Sequence, residues 1–524
     1  MLAAKKFPIV SGRYLKAAVL TALVTLPAFS GQGSANPPSP PVPWTGPVPK
    51  AVCGLNDRVE SGLQGHTTLA ERQSGDSERG YNCNLELVGQ FQGEGMWWFM
   101  SSFNSGMDSS TMFDNNMGST SFNDCAYYST RNNPLLQRRG AVVIDASDPR
   151  NPHPTAFLDD SAAMLNPHES LKVHGKRQLL AGVQSNPLMG PGFAIYDLSA
   201  DCRHPVLKAS FDMAGTVGHA GNFTPDGMTY YATQNFRGLG GRMQVVDVSD
   251  PSNPVHLLNW QFPGDGRPHD SSFNKDGTRL YSPQPGQFGN TGSSIGPNGL
   301  VILDVSDIQF RRPNPQIRVI STLFWEDGGQ AQQTLPVTIQ GRPHLIFTDE
   351  AGAGGSGGRA GACARGLPPS GFARIIDISD ETNPKTIAKL MLEAHDPANC
   401  AELLTTPDAN GQSGYSSHYC SADQAQNPKM LACSYFGAGI RVFDIRDPFH
   451  PKEVAYYKPP ARRTAFLPGS SRWSPTSTAD RTVDFTPTDI RWRKHKGETH
   501  LWFASADNGF QIVKFTRDVL RDAD

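Results

Sequence analysis

Several things are scarce in this 524-residue chain, and each scarcity excludes something. Charge of one sign is missing: 47 Lys and Arg face 49 Asp and Glu, charged residues are 18% of the chain, and the formal net charge is −2. No basic face large enough for nucleic acid is implied. No window reads as a long amphipathic helix, which argues against an α-helical fold. The eight cysteines contain no Cys-x-x-Cys spacing, so a thiolate zinc site or a redox dithiol is disfavoured. A His-Glu-x-x-His helix is absent, which disfavours a zincin. The one glycine-rich run, 350–359, follows an apolar strand but has no Gly-Lys-Ser/Thr after it, so it reads as a flexible connection with Asp349 and Glu350 at its hinge.

Long hydrophobic runs are also missing, apart from the N-terminal region. There Lys5, Lys6, Arg13 and Lys16 precede an apolar stretch from Ala17 to Phe29, and small residues follow at Gly33-Ser34-Ala35. That stretch is shorter than the roughly 20 residues needed to span a bilayer. Residues 1–35 therefore read as an export signal, and the mature chain is expected in the periplasm or outside the cell with no membrane span. Residues 36–84 read as a Pro-rich linker and N-terminal extension. In an exported chain an even number of cysteines favours disulfides. Cys53–Cys83 and Cys420–Cys433 are the nearest-neighbour pairings.

What the chain has in abundance is one phrase. A β-branched run, an aspartate, an apolar residue and a turn recur at Asp145, Asp197, Asp247, Asp304, Asp377 and Asp444, with a degenerate seventh copy in which Lys514 stands at the aspartate position. These positions are 52, 50, 57, 73, 67 and 70 residues apart, so insertions vary while the unit persists. Such a period signals a repeat architecture. Turns such as Ser147-Asp148-Pro149 and Ser249-Asp250-Pro251 follow, though the copy at Asp197 lacks the Asp-Pro pair, and then a short strand such as Val206 to Phe211. A strand opening near a histidine comes next, then a turn such as Thr224-Pro225-Asp226-Gly227 and a fourth strand. Four strands per unit make the blade of a β-propeller.

The seventh phrase lies too near the C-terminus to be followed by an outer strand of its own, whereas Leu85 to Phe91 resembles an outer strand with no blade before it. The two halves balance if 85–91 completes the last blade. The expected fold is therefore all-β: a seven-bladed propeller over 85–524, closed by an N-terminal strand. The copies around Asp145, Asp247, Asp304, Asp377 and Asp444 resemble the LVIVD-repeat family of exported bacterial β-propellers. That resemblance implies the fold and little about activity. The repeat aspartates are expected to hold turns and take no part in catalysis.

Aligning the units by their Asp-Gly turns puts His219 and His269 at one structural position, the start of a channel-lining strand, and His168 and His418 fit the same slot. Blade five offers Gln330, Gln332 and Gln333 there, and blade seven offers Asp484. Four of the 14 histidines would converge beside Glu169 and Asp270. Imidazoles with adjacent carboxylates suit copper, zinc or iron. In this reading His168, His219, His269 and His418 are metal ligands, and Asp270 or Glu169 is the outer carboxylate or proton shuttle. The outline is similar to copper-containing seven-bladed propellers such as methanethiol oxidase, whose cysteine-rich motifs are absent here. The structural alternative is a ring of histidines bonded to neighbouring backbone. Two function classes follow: an exported metal-dependent oxidoreductase or hydrolase acting on a small molecule at the channel mouth, or a non-catalytic scaffold whose loops bind a protein or glycan. His174 reads as a surface turn residue, His395 as either ligand or structure, and Met96-Trp97-Trp98-Phe99-Met100 as a strand packed between blades.

Overall fold

In all seven units the repeated phrase is the third strand of an antiparallel sheet, four-stranded in six of them and five-stranded in the sixth. A computed structural model describes residues 46–104, 124–185, 192–212, 218–234, 241–262, 266–288, 294–354, 358–406, 414–462, 467–473 and 481–521. The expected export signal lies outside these residues. Blade three is typical: Gly221–Phe223 lines the axis, followed outward by Thr229–Gln234, Arg242–Asp247 and Val255–Gln261. Blade one begins at Met100–Asn104, blade two at Lys172–His174, blade four at Ser272–Phe273, blade five at Gly329–Ile339, blade six at Cys420–Ala422 and blade seven at Arg491–His495. The chain is a seven-bladed β-propeller. Its α-helices, among the described residues, are short pieces such as Leu69–Ser74, and none is long and apolar enough to cross a membrane.

The burial of each strand explains its composition. The third strands are buried almost throughout, because blades pack on both of their faces, and so Val, Ile and Phe run without alternation. Outer strands such as Val206–Phe211 and Val255–Gln261 alternate exposed and half-buried residues, as half-covered sheet edges do. Between third and outer strands the register shifts once in all seven blades, a bulge that adds local twist at the same radius. The histidine slot therefore lies two strands inward from the phrase.

Leu85–Phe91 pairs with Gly509–Phe515 as the outer strand of blade seven, as the count of strands requires. Trp502, Phe510 and Ile512 of that blade share one apolar cluster with Met100, Val142 and Ile144 of blade one, so the seam where the ring closes is packed like any other. Each such buried side chain contributes roughly 2 kcal/mol.

Residues 46–84 pack onto blades five and six. Val48 is buried and its amide donates to the Met391 carbonyl at 2.8 Å. Tyr81–Cys83 adds a fifth strand to blade six. The buried Arg441 guanidinium joins Glu60 of this segment to Glu453 of the blade, at 3.0 Å from the latter, and Lys458 donates to Thr67 Oγ1 at 2.8 Å.

All eight cysteines are paired: Cys53–Cys83 and Cys420–Cys433 as expected, and also Cys125–Cys202 and Cys363–Cys400. Cys420 and Cys433 face each other across adjacent strands, while Cys125–Cys202 ties blade one to blade two.

The repeat aspartates do one local job. The side chains of Asp145, Asp197, Asp247, Asp304, Asp377 and Asp444 each accept the backbone amide two residues on, at 2.8–3.0 Å. The Asp197 corner lacks the Asp-Pro turn yet keeps this bond. In blade seven Lys514 instead bridges Glu498 at 2.8 Å and Glu86 of the closing strand at 3.4 Å.

Candidate metal centre

In each blade the first strand leaves one mouth of the channel and the second returns to it. Residues just before the first strand and just after the second therefore meet at that mouth. One backbone bond marks the slot: the amides of His219, His269 and His418 donate to the carbonyls of Thr233, Pro283 and Ser434 at 2.6, 2.9 and 2.9 Å. Trp97 makes the same bond to Ser129 at 2.8 Å, so Trp97 and Trp98 hold the slot in blade one. In blade five a bulge between Ala331 and Gln333 turns Gln332 towards the axis. In blade two His168 takes a left-handed backbone (φ 49°), and Glu169 forms an isolated parallel bridge with Ala220 of blade three.

The four histidines surround the Glu169 carboxylate. His219 Nε2 is 3.0 Å and His269 Nε2 3.2 Å from Glu169 Oε2, and the two imidazole nitrogens are 3.0 Å from each other. His168 Nδ1 lies 3.6 Å from the same oxygen. His418 Nε2 approaches Oε1 at 3.1 Å, and Gln332 Nε2 donates to Oε1 at 3.1 Å. The Pro487 carbonyl of blade seven accepts a hydrogen bond from His418 Nδ1, which leaves Nε2 facing the carboxylate. Despite these short separations, Glu169 Oε2, His418 Nε2 and His168 Nδ1 are buried without a well-directed hydrogen bond.

The electrostatics follow from burial and crowding. Burial would raise the Glu169 carboxyl, but the surrounding imidazoles of His269, His168, His219 and His418 hold it well below the usual range. Burial and the neighbouring rings keep His168 neutral, well below its ordinary value, and push His269 down to about 3. For His418 burial is outweighed by Glu169 and Glu350, and its value rises.

Asp270 sits beside His269 in sequence but turns away from the cluster. Its carboxylate accepts the Ser271 amide at 2.8 Å and lies 3.6 Å from Lys172 Nζ, and burial, only partly offset by Lys172, raises it to about 6. Asp484 is also elsewhere, accepting the amides of Phe485 and Asp507 and the side chain of Asn508. Gln333 latches blade five to blade six through the Cys420 backbone. His174 is buried and bonds Pro225 O at 3.2 Å, a blade-to-blade tie in place of the surface turn expected. His395 is structural, bonded to the Leu392 amide and the Tyr415 carbonyl at 2.8 and 2.9 Å.

Two neighbours of the cluster escape a reading of the sequence. Glu350, at the end of the second strand of blade five, places Oε1 4.0 Å from His418 Nε2, and burial raises its carboxyl to about 7. Trp98 stands between His418 and His168, with ring centroids 5.6 and 5.9 Å away. The slot bond of Trp97 to Ser129, repeated in the histidine blades, is the signal that would have found it.

Comparison with known proteins adds a repeat and no chemistry. No curated protein matches the sequence. Similar solved structures include the periplasmic gluconolactonase of Pseudomonas aeruginosa (13% identity, 74% of this chain and 96% of that one, TM-score 0.46). Hydrazine synthase of Kuenenia stuttgartiensis (10%, 83% and 97%, 0.46) and a 6-phosphogluconolactonase-type protein of Bacteroides fragilis (11%, 74% and 92%, 0.41) are others. At such identities and scores none carries an argument about this chain's activity. The LVIVD repeat model matches residues 239–261, the third and outer strands of blade three. The chain thus carries an LVIVD repeat within a seven-bladed propeller.

Proposed function

We propose that this protein is an exported metalloenzyme, an oxidoreductase or hydrolase, that works on a small molecule at the channel mouth. One observation carries the reading. Three donor atoms, His219 Nε2, His269 Nε2 and Glu169 Oε2, form a triangle with edges of 3.0, 3.0 and 3.2 Å. Two donors about 2.1 Å from one ion and at right angles to each other are about 3.0 Å apart, so the triangle has the dimensions of one face of an octahedral shell, where a tetrahedral one would space its donors about 3.4 Å apart. A purely hydrogen-bonded ring of histidines would leave Glu169 Oε2, His418 Nε2 and His168 Nδ1 buried without well-directed hydrogen bonds, although their neighbours stand 3.0–3.6 Å away. Such groups are costly unless something satisfies them.

In this reading His219, His269 and Glu169 form the inner face, with His168 and His418 completing the set. Glu169 becomes a ligand, where the sequence pointed to an outer carboxylate, and Asp270 is left as part of the channel wall with Lys172. Gln332 and the Pro487 carbonyl orient Glu169 and His418, as outer partners of ligands do. Nitrogen with one carboxylate suits copper, zinc or iron, and the ion would supply Lewis acidity or one-electron chemistry when bound. The open side is set by exposure: the side chains of His168, His219 and Glu350 are 13%, 16% and 16% exposed, while those of His269, His418 and Glu169 are 5% or less. Glu350 Oε1 borders that opening, placed to take a proton from a bound molecule. The four disulfides suit an oxidising compartment, which supports export.

Metal analysis of the purified chain tests the proposal. About one transition ion per chain is expected, falling below a tenth of that in a His219→Ala, His269→Ala double variant that keeps its thermal transition. Copper or iron would favour the oxidoreductase and zinc the hydrolase. A wild-type content that is sub-stoichiometric, and unchanged in the variant, would overturn it and leave the scaffold that binds a protein or glycan.

A further inference from the structure

We infer that the molecule taken at this mouth is planar and aromatic and carries an anionic group, its ring lying on Trp98 and its anion held by Arg131. The inference rests on the metal reading for its location and goes further by naming the class of substrate.

The run Met96 to Met100 divides in two. Met96, Phe99 and Met100 are fully buried between blades, as a hydrophobic strand should be. Trp97 and Trp98 are only half-buried and stand at the mouth. An indole left partly in water where its neighbours in sequence are covered calls for a reason. Its position supplies one. Of the slot positions around the mouth, blades two, three, four and six present histidine, blade five glutamine and blade seven a carbonyl, while blade one presents an indole. The Trp98 ring is inclined at 45–46° to His168 and His418, and makes T-shaped contacts with Phe436 at 5.9 Å and Trp97 at 5.6 Å. Phe436 is held there with a left-handed backbone (φ 28°) and an antiparallel bridge to Thr486. A half-buried indole held among these rings, next to the part-exposed His168, can take another planar ring against its accessible part, a contact worth more than area alone.

The charge lies one residue along. The Arg131 guanidinium sits over Trp97 at 4.8 Å and Trp473 at 5.9 Å, and Nη1 donates to the Trp473 carbonyl at 2.6 Å. Among the described residues it has no carboxylate partner, unlike the buried Arg374 and Arg441, each of which faces two. The Trp97 indole N–H beside it is buried with no acceptor. A half-buried guanidinium with donors to spare is matched by a carboxylate or similar oxyanion. A ring on Trp98 with an acidic arm reaching past Trp97 would meet the guanidinium and leave the ring's substituent edge towards His168, His219 and Glu350.

Titration calorimetry on the full chain, after its metal content has been measured, separates this inference from the one beneath it. The probes are cinnamate, cinnamyl alcohol and 3-cyclohexylpropanoate. Cinnamate is expected to bind at least tenfold more tightly than either of the others. Trp98→Leu should weaken cinnamate about tenfold and 3-cyclohexylpropanoate less than twofold, while Trp98→Phe retains cinnamate within about threefold. Arg131→Met should weaken cinnamate about tenfold and cinnamyl alcohol less than twofold, with metal content unchanged in all three variants. Equal affinity for the three probes, no binding of any to metal-loaded protein, or a loss in Trp98→Leu that Trp98→Phe does not restore would overturn the inference. A chain without metal that still discriminates the probes would sink the metal reading alone.

Discussion

The two rings of polar side chains in this propeller come from the same repeat and behave in opposite ways. At one radius six aspartates each bond an amide two residues away, and no aspartate depends on the next blade for that bond. At the axis four histidines make almost no local bonds with their side chains and meet one carboxylate. Repetition at the periphery copies a fastener; repetition at the axis brings copies into contact. The difference is geometric, since only the first strands of different blades come close enough to share an ion.

The comparison can be broken most severely at its centre. Glu169→Gln should lower metal content below a tenth of wild type by elemental analysis while the thermal transition survives, because a neutral amide is a poor ligand. Retention of full metal would return Glu169 to an outer role. Next comes a histidine outside the ring. His395 is buried and pushed down to about 4, chiefly by burial. The folded chain keeps it neutral while the unfolded chain protonates it near 6.5, so its contribution is full above 6.5 and is lost as pH falls towards 4. At pH 5 that loss is about 2 kcal/mol. Calorimetric Tm should fall less between pH 7 and pH 5 in His395→Gln than in wild type, with metal content unchanged; equal slopes would refute the assignment. Smaller still, Asp197→Ala should cost about 1 kcal/mol in denaturant unfolding, one local hydrogen bond, and leave metal untouched. Coupling between Asp197 and the metal site would contradict the independence of the outer ring. Least of all, Lys514→Met removes exposed ion pairs and should change stability only slightly, and not at all in 1 M salt.

Much of this is legible in the amino-acid sequence, for reasons that can be named. Seven phrases and a stray outer strand determine a closed ring because hydrogen-bonded edges must pair. His219 and His269 stand out because a fixed spacing of 50 carries them past equivalent turns. Glu169 is visible as a neighbour but not as the centre, since the left-handed turn at His168 and the bridge to Ala220 that aim it inward leave no mark in composition. Trp98 is hidden inside an apolar run, three of whose five members are indeed core. Glu350 reads as the hinge of a glycine-rich loop, and only the register of the second strand brings it to the mouth. Cys125–Cys202 cannot be paired by proximity, because the bond spans 77 residues and depends on which blades are neighbours.

The strand that closes blade seven has a consequence for assembly. Apart from Tyr81–Cys83, Leu85–Phe91 is the first strand of the propeller in the chain, and its partner, Gly509–Phe515, is the last. The two come from opposite ends of the propeller sequence, so the ring stays an open arc until they have met. Through that interval Leu85, fully buried in the finished molecule, lacks its blade-seven neighbours such as Val513, and both free edges can template wrong pairings. The chain is most vulnerable just before the ring closes, and a truncation that removes Gly509–Phe515 would hold it there.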